Sequence, residues 1–264
     1  LESLLDASWA TRPWQTADFM SRAARDFINA TPFSDLWTGE RLLRFPPNRD
    51  LAQGPSVRLA FAKALYNLTV VQDLAGCEAT VGRLGELAGR FAADPAIALP
   101  LAMALVNLTV VQDLAGREVT VGRLGELAGR FAADPAIALE HAKALFNLTA
   151  KQDLAGREVT VGRLGELAGR FAADPAIALQ HAMALVNLTA KQDLAGREGT
   201  VGRLGELAGR FAADPAIALQ HAKALYNLTV DQDLAGRKAT IGRIRLLAQQ
   251  FPDDGEIAAL RDAL

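Results

Sequence analysis

Five asparagines stand 40 residues apart, Asn67, Asn107, Asn147, Asn187 and Asn227, each opening an Asn-Leu-Thr triplet. The triplet is the acceptor pattern for an N-linked sugar. A side-chain amide also carries donors and acceptors together. The same row could therefore hold the backbone of an extended peptide, or bond one helix to the next. His141, His181 and His221 recur at the same interval, with Phe61 and Leu101 in the two earlier slots. Adjacent stacked helices lie about 8–10 Å apart, too far for successive imidazoles to share one metal at bonds of about 2 Å. Packing at a helix interface is the expectation for them. If they are buried and neutral, acid should loosen the C-terminal half first.

Other chemistry is missing from the pattern. There is no phosphate-binding loop, zinc spacing or nucleophile elbow, and "GRLGELAG" lies inside a helical pattern rather than after a strand. Each reactive side chain comes in several copies, whereas a catalytic site is one asymmetric constellation. The expectation is a protein that is not an enzyme, with no cofactor and no metal. The single cysteine, Cys77, excludes a disulfide within the chain and a cysteine zinc site. It stands where Arg117, Arg157, Arg197 and Arg237 occur, and reads as a drifted surface position.

The formal charge of −2 over 264 residues, with no basic block, excludes an electrostatic footprint for nucleic acid. No apolar run approaches the roughly 18 residues that span a membrane. The first residues lack the basic start and apolar core of a signal peptide. A cytoplasmic location and no membrane partner are expected.

The elements that must position these residues follow a strict 40-residue period. Residues 81–120 and 121–160 differ at six positions, and both open "VGRLGELAGRFAADPAIAL". Such a period signals a solenoid whose units bury apolar faces on their neighbours. Each unit reads as two helices. Asp94 is an N-cap and Pro95 suits the first helical position. Ile97, Ala104, Leu105 and Leu108 then mark a buried face up to a break near Gln112 and Asp113. A second helix runs from about Leu114 to Phe131, with Leu114, Val121, Leu124, Ala128 and Phe131 on one face. Glu126 and Arg130 form an expected solvent-facing pair. Gly122, Gly125 and Gly129 each cost about 1 kcal/mol against alanine, which predicts a small-residue stripe under a close neighbour. Pro100 predicts a kink or late start in its helix.

Residues 1–55 are expected to form an irregular, aromatic-rich helical cap carrying Trp9, Trp14, Phe19, Phe27, Phe33 and Trp37, with an extended loop near Asn48 to Gly54. Residues 56–240 hold the repeats, and 241–264 the C-terminal capping helices. A docking surface for a further domain is the rival reading of the aromatic segment.

"FAADPAIAL" looks like the boundary between tetratricopeptide repeats, and "QDLAG" resembles the turn between their helices. The resemblance covers residues 36–264. The period is 40 rather than 34, and the family's tryptophan, Leu-Gly and tyrosine pattern is missing, so the chain is tetratricopeptide-like. The resemblance implies an all-α, right-handed α-solenoid of antiparallel helix pairs, a superhelix whose first helices line a concave surface and hold extended peptides.

The repeats disagree mainly in the first helix, and the variable positions fall on one arc of roughly 140°. They include Pro100 with Glu140, Gln180 and Gln220; Lys63, Met103, Lys143, Met183 and Lys223; Tyr66, Val106, Phe146, Val186 and Tyr226; and positions 110 and 111. The asparagine row lies inside that arc. The leading expectation is an interaction scaffold, a monomer or weak self-associator, binding a protein or peptide through these lysines, methionines, aromatics, valines and asparagines. The alternative is a structural or designed repeat without a ligand, or one that assembles with itself end to end. For the asparagines, a groove contact and a structural ladder stay open together, with glycosylation behind both.

Overall fold

The computed structural model describes residues 55–264, so the aromatic cap and the loop expected near Asn48 to Gly54 lie outside the described residues. The described chain is all helical and divides into two compact units, 55–113 and 114–264. The first unit holds α1 (Pro55–Thr69), α2 (Leu74–Arg90) and α3 (Pro95–Val111). The second holds α4 (Leu114–Arg130), α5 (Pro135–Thr149), α6 (Leu154–Arg170), α7 (Pro175–Thr189), α8 (Leu194–Arg210), α9 (Pro215–Thr229), α10 (Leu234–Gln250) and α11 (Gly255–Asp262).

Both helices of a repeat start where the sequence offers an aspartate. Asp134 Oδ1 accepts hydrogen bonds from the amides of Ala136 and Ile137 at 2.9 and 3.2 Å, with Pro135 at the first helical position. Asp153 Oδ1 accepts from Gly156 N at 2.8 Å and opens the second helix. Glycine suits position 156 because a Cβ there would lie 3.1 Å from the capping oxygen and 3.2 Å from Gln152 Cβ. The caps satisfy amides that have no partner inside the helix.

Within each unit, first helices stack on first helices: α1 on α3, and α5 on α7 on α9. Inside a unit, a second helix packs against the first helix of its own repeat and that of the next, as α6 does against α5 and α7. The first helices are thus buried on several sides. Ile137, Ala144, Leu145 and Leu148 are closed off from solvent, and so are Val161 and Leu164 of the second layer. The last helix, α11, closes the stack: Ile257 joins Ala218, Leu219, Ala222 and Ala248 in a cluster flanked by Leu247, Phe251 and Leu260.

Four expectations about the helices change. Pro100 neither delays nor ends its helix, which starts at Pro95 like its counterparts and runs on to Val111. The glycine stripe shrinks to one residue per repeat. A Cβ on Gly122 or Gly129 would meet nothing within 4 Å, whereas one on Gly125 would lie 3.4 Å from His141 Nε2. Glu126 and Arg130 make no ion pair, and the equivalent Arg170 and Arg210 instead donate to the carbonyls of Ala132 and Ala172, at 3.1 and 3.0 Å. Leu114, expected on the buried face, is 38% exposed at the helix start.

Candidate functional site: the asparagine row and its face

Each asparagine sits in the last turn of a first helix, two residues before a buried threonine. The threonine hydroxyl donates to the carbonyl three residues back, from Thr149 to Phe146 O at 2.7 Å and from Thr189 to Val186 O at 2.8 Å. Its oxygen then accepts from the asparagine of the following repeat. Asn107 Nδ2 reaches Thr69 Oγ1 at 2.9 Å, Asn187 reaches Thr149 at 3.2 Å, and Asn227 reaches Thr189 at 3.0 Å. A buried hydroxyl and an amide are thereby satisfied together, as buried polar groups require.

The second helix adds a clamp. Arg157 Nη1 donates to Asn187 O at 2.8 Å while its Nε donates to Gln152 O at 2.9 Å. Arg117 reaches Asn147 O at 2.9 Å, and Arg197 reaches Asn227 O at 3.2 Å and pairs with Asp231. Thr160 Oγ1 donates to Gln152 Oε1 at 2.8 Å, fixing the turn that carries the clamp, and Thr80, Thr200 and Thr240 repeat the bond. Arg117 and Arg157 are buried, so the position equivalent to Cys77 is an interior one. Cys77 itself is 1% exposed, contrary to the surface reading, and burial followed by the nearby Glu78 raises its thiol pKa.

The proposed binding residues lie beside this ladder. Asn67, Asn107, Asn147, Asn187 and Asn227 are half-buried, as are Tyr66, Val106, Phe146, Val186 and Tyr226. Lys63 is exposed, and Met103, Lys143, Met183 and Lys223 are half-buried. The aromatics therefore belong neither to the core nor to the open surface. Lys143 pairs with Glu140 at 2.8 Å and Lys223 with Glu256 at 3.0 Å. The Oδ1 atoms of Asn107, Asn187 and Asn227 accept no hydrogen bond from the described residues. Positions 110 and 111 at the helix end are open, with Val110 at 61% exposure.

The histidines lie on the other side of the first helix, against the glycine of the preceding second helix. His181 approaches a Cβ position at Gly165 to 3.3 Å and His221 one at Gly205 to 3.4 Å. The ring pKa values fall from 6.5 to about 4, first through burial and then through Arg163 and Arg170 at His141, Arg203 and Arg210 at His181, and Arg243 at His221. His221 Nε2 meets Arg243 Nη2 at 3.3 Å, while Nε2 of His141 and of His181 are buried without a partner. Among the described residues no group of three metal-ligating side chains forms, and no helix is long and apolar enough to cross a membrane.

The threonine and arginine partners of the asparagine were the functional residues that sequence reasoning missed. Their signal was present, as Thr109, Gln112 and Arg117 hold the same register in almost every repeat. Fold and site together define a tandem array of 40-residue helix pairs held by a repeated Thr-Gln-Asn pattern. Comparison of the chain with protein-family models, curated proteins and solved structures finds no match.

Proposed function

We propose that the chain is a tetratricopeptide-like, right-handed superhelical scaffold that holds an extended peptide, or a partner helix, along a concave surface lined by its first helices. The observation that carries this reading is where the repeats differ. The buried positions Ile137, Ala144, Leu145 and Leu148 recur unchanged, while the half-buried positions 143 and 146 change between repeats. Packing needs the first set to be constant. Variety in the second set is what a ligand-reading surface would show, because a ligand is read by the side chains it touches. The proposed protein is a cytoplasmic binding module, a monomer or weak self-associator, without a cofactor or catalytic role.

A second reading has its own observation. The side-chain amides of Asn107, Asn187 and Asn227 each donate a hydrogen bond inside the stack, which is what a structural ladder without a ligand would use them for. A random peptide array probed with the purified chain separates the two. Binding that is lost in Phe146→Ala and Tyr226→Ala but kept in Glu166→Ala and Glu206→Ala, on the exposed side of the second helices, supports the scaffold. An array that stays empty, or binding indifferent to the first-helix variants, favours the ladder alone.

A further inference from the structure

Two positions on the first helix change in step. Lysine pairs with an aromatic at 63 and 66, 143 and 146, and 223 and 226, whereas methionine pairs with valine at 103 and 106, and 183 and 186. The alternation has a period of two repeats. It does not come from copying an 80-residue block, because neighbouring positions follow other patterns. Residues 110 and 111 pair as Val-Val twice and Ala-Lys twice before Val230-Asp231, and slot 141 reads Phe, Leu, His, His, His. Positions three apart share a helix face, and the asparagine one residue on lies on it too.

Within residues 114–264, this face presents Lys143 and Phe146, then Met183 and Val186, then Lys223 and Tyr226, all half-buried. The two lysines each donate to one carboxylate, Glu140 or Glu256. An ammonium has three donors, and a partly exposed pair of this kind is worth at most about 1 kcal/mol, so both heads remain able to bind a further acid. Two stacking steps of about 8–10 Å each correspond to about six residues of polyproline II chain at about 3.1 Å per residue, and in that conformation side chains three apart share a face.

We infer that the ligand of this face is a peptide in the extended polyproline II conformation, with acidic side chains six residues apart and an aliphatic side chain midway between them, all three on one face. This rests on the scaffold reading above. The acids meet Lys143 and Lys223, the aliphatic group meets Met183 and Val186, and Asn187 and Asn227 Oδ1 accept from the peptide backbone. The competing account is internal: large and small side chains alternating between adjacent helices so that they interlock.

The test uses the full chain and labelled 13-residue peptides carrying two glutamates six apart, three apart, or scrambled, read by fluorescence anisotropy. The six-apart peptide should bind up to about fivefold tighter than the three-apart one, as one additional weak ion pair would give, and added salt should erase the difference. The double variant Met183→Lys with Val186→Tyr puts the lysine-aromatic pair in every repeat of the unit, and should raise the three-apart peptide to parity. Its melting curve reports whether it is folded, and both residues already occupy these positions in other repeats. If the variant changes melting alone and no spacing preference exists, the interlocking account holds and the inference is overturned. If no glutamate peptide binds while array peptides still require Phe146 and Tyr226, the acidic spacing fails and the scaffold stands. An empty array sinks both.

Discussion

Residues 55–113 and residues 114–264 each build the same kind of helix stack, with different interior chemistry. In the second unit, Arg117, Arg157 and Arg197 clamp the asparagine carbonyl of the next repeat, and histidines fill the slot beside the glycine. The first unit has Cys77 in place of the clamp, Leu101 in the histidine slot, and nothing within 4 Å of a Cβ on Gly85. The bond from Asn107 to Thr69 nevertheless survives at 2.9 Å. The amide-threonine pair therefore sets the register between repeats, and the guanidinium is an addition to a junction that forms without it.

Acid should separate the two units most strongly. The folded-state pKa of each histidine, about 4, lies below its unfolded value of 6.5. The folded state binds fewer protons, so its advantage is complete above pH 6.5 and is lost as pH falls toward 4. Each histidine contributes on the order of 2–3 kcal/mol to that loss. Hydrogen exchange at pH 7 and pH 4.5 should show residues 114–264 losing protection ahead of 55–113; equal loss in both would contradict the assignment. Replacing all three histidines with leucine, as at position 101, should abolish the difference.

Removal of the clamp comes next. Arg157→Ala deletes two charge-assisted bonds and should cost about 2–4 kcal/mol in urea unfolding. The smaller amide bond should cost about 1–2 kcal/mol in Asn187→Ala, and a double-mutant cycle with Thr149→Val would show coupling if the pair acts as one contact. Cys77→Arg converts the first kind of junction into the second, and should stabilise residues 55–113 by about 1–2 kcal/mol if the guanidinium reaches Asn107 O. A drop in melting temperature would mean that this interior has closed around the smaller thiol. The smallest effect concerns glycine. Gly85→Ala enters open space and should stabilise by about 0.5–1 kcal/mol, whereas Gly165→Ala must push His181 and should gain less or lose.

Much of the frame was legible because it is local. Asp134 and Pro135 specify a helix start through their own backbone geometry, and Asp153 specifies the next, so the starts of α5 and α6 could be read from the repeat, whereas α5 ends at Thr149, ahead of the break expected at Gln152 and Asp153. The buried face of Ile137, Leu145 and Leu148 followed from spacing alone. The site was legible only in outline. The variable arc and the asparagine row could be placed on one face, but not what the amide bonds to.

That limit has a physical cause. The sequence by itself determined the 40-residue period, the helix pairs, the capped starts and the apolar stripe, since these depend on residues within a turn or two of one another. Only tertiary structure decided that Asn187 bonds Thr149, that Arg157 reaches Asn187 O, that Cys77 lies inside, and that one glycine in three faces a histidine. Those contacts join residues 16 to 38 positions apart. They depend on how far each helix is rotated against its neighbour, which a helical wheel drawn for one helix does not contain.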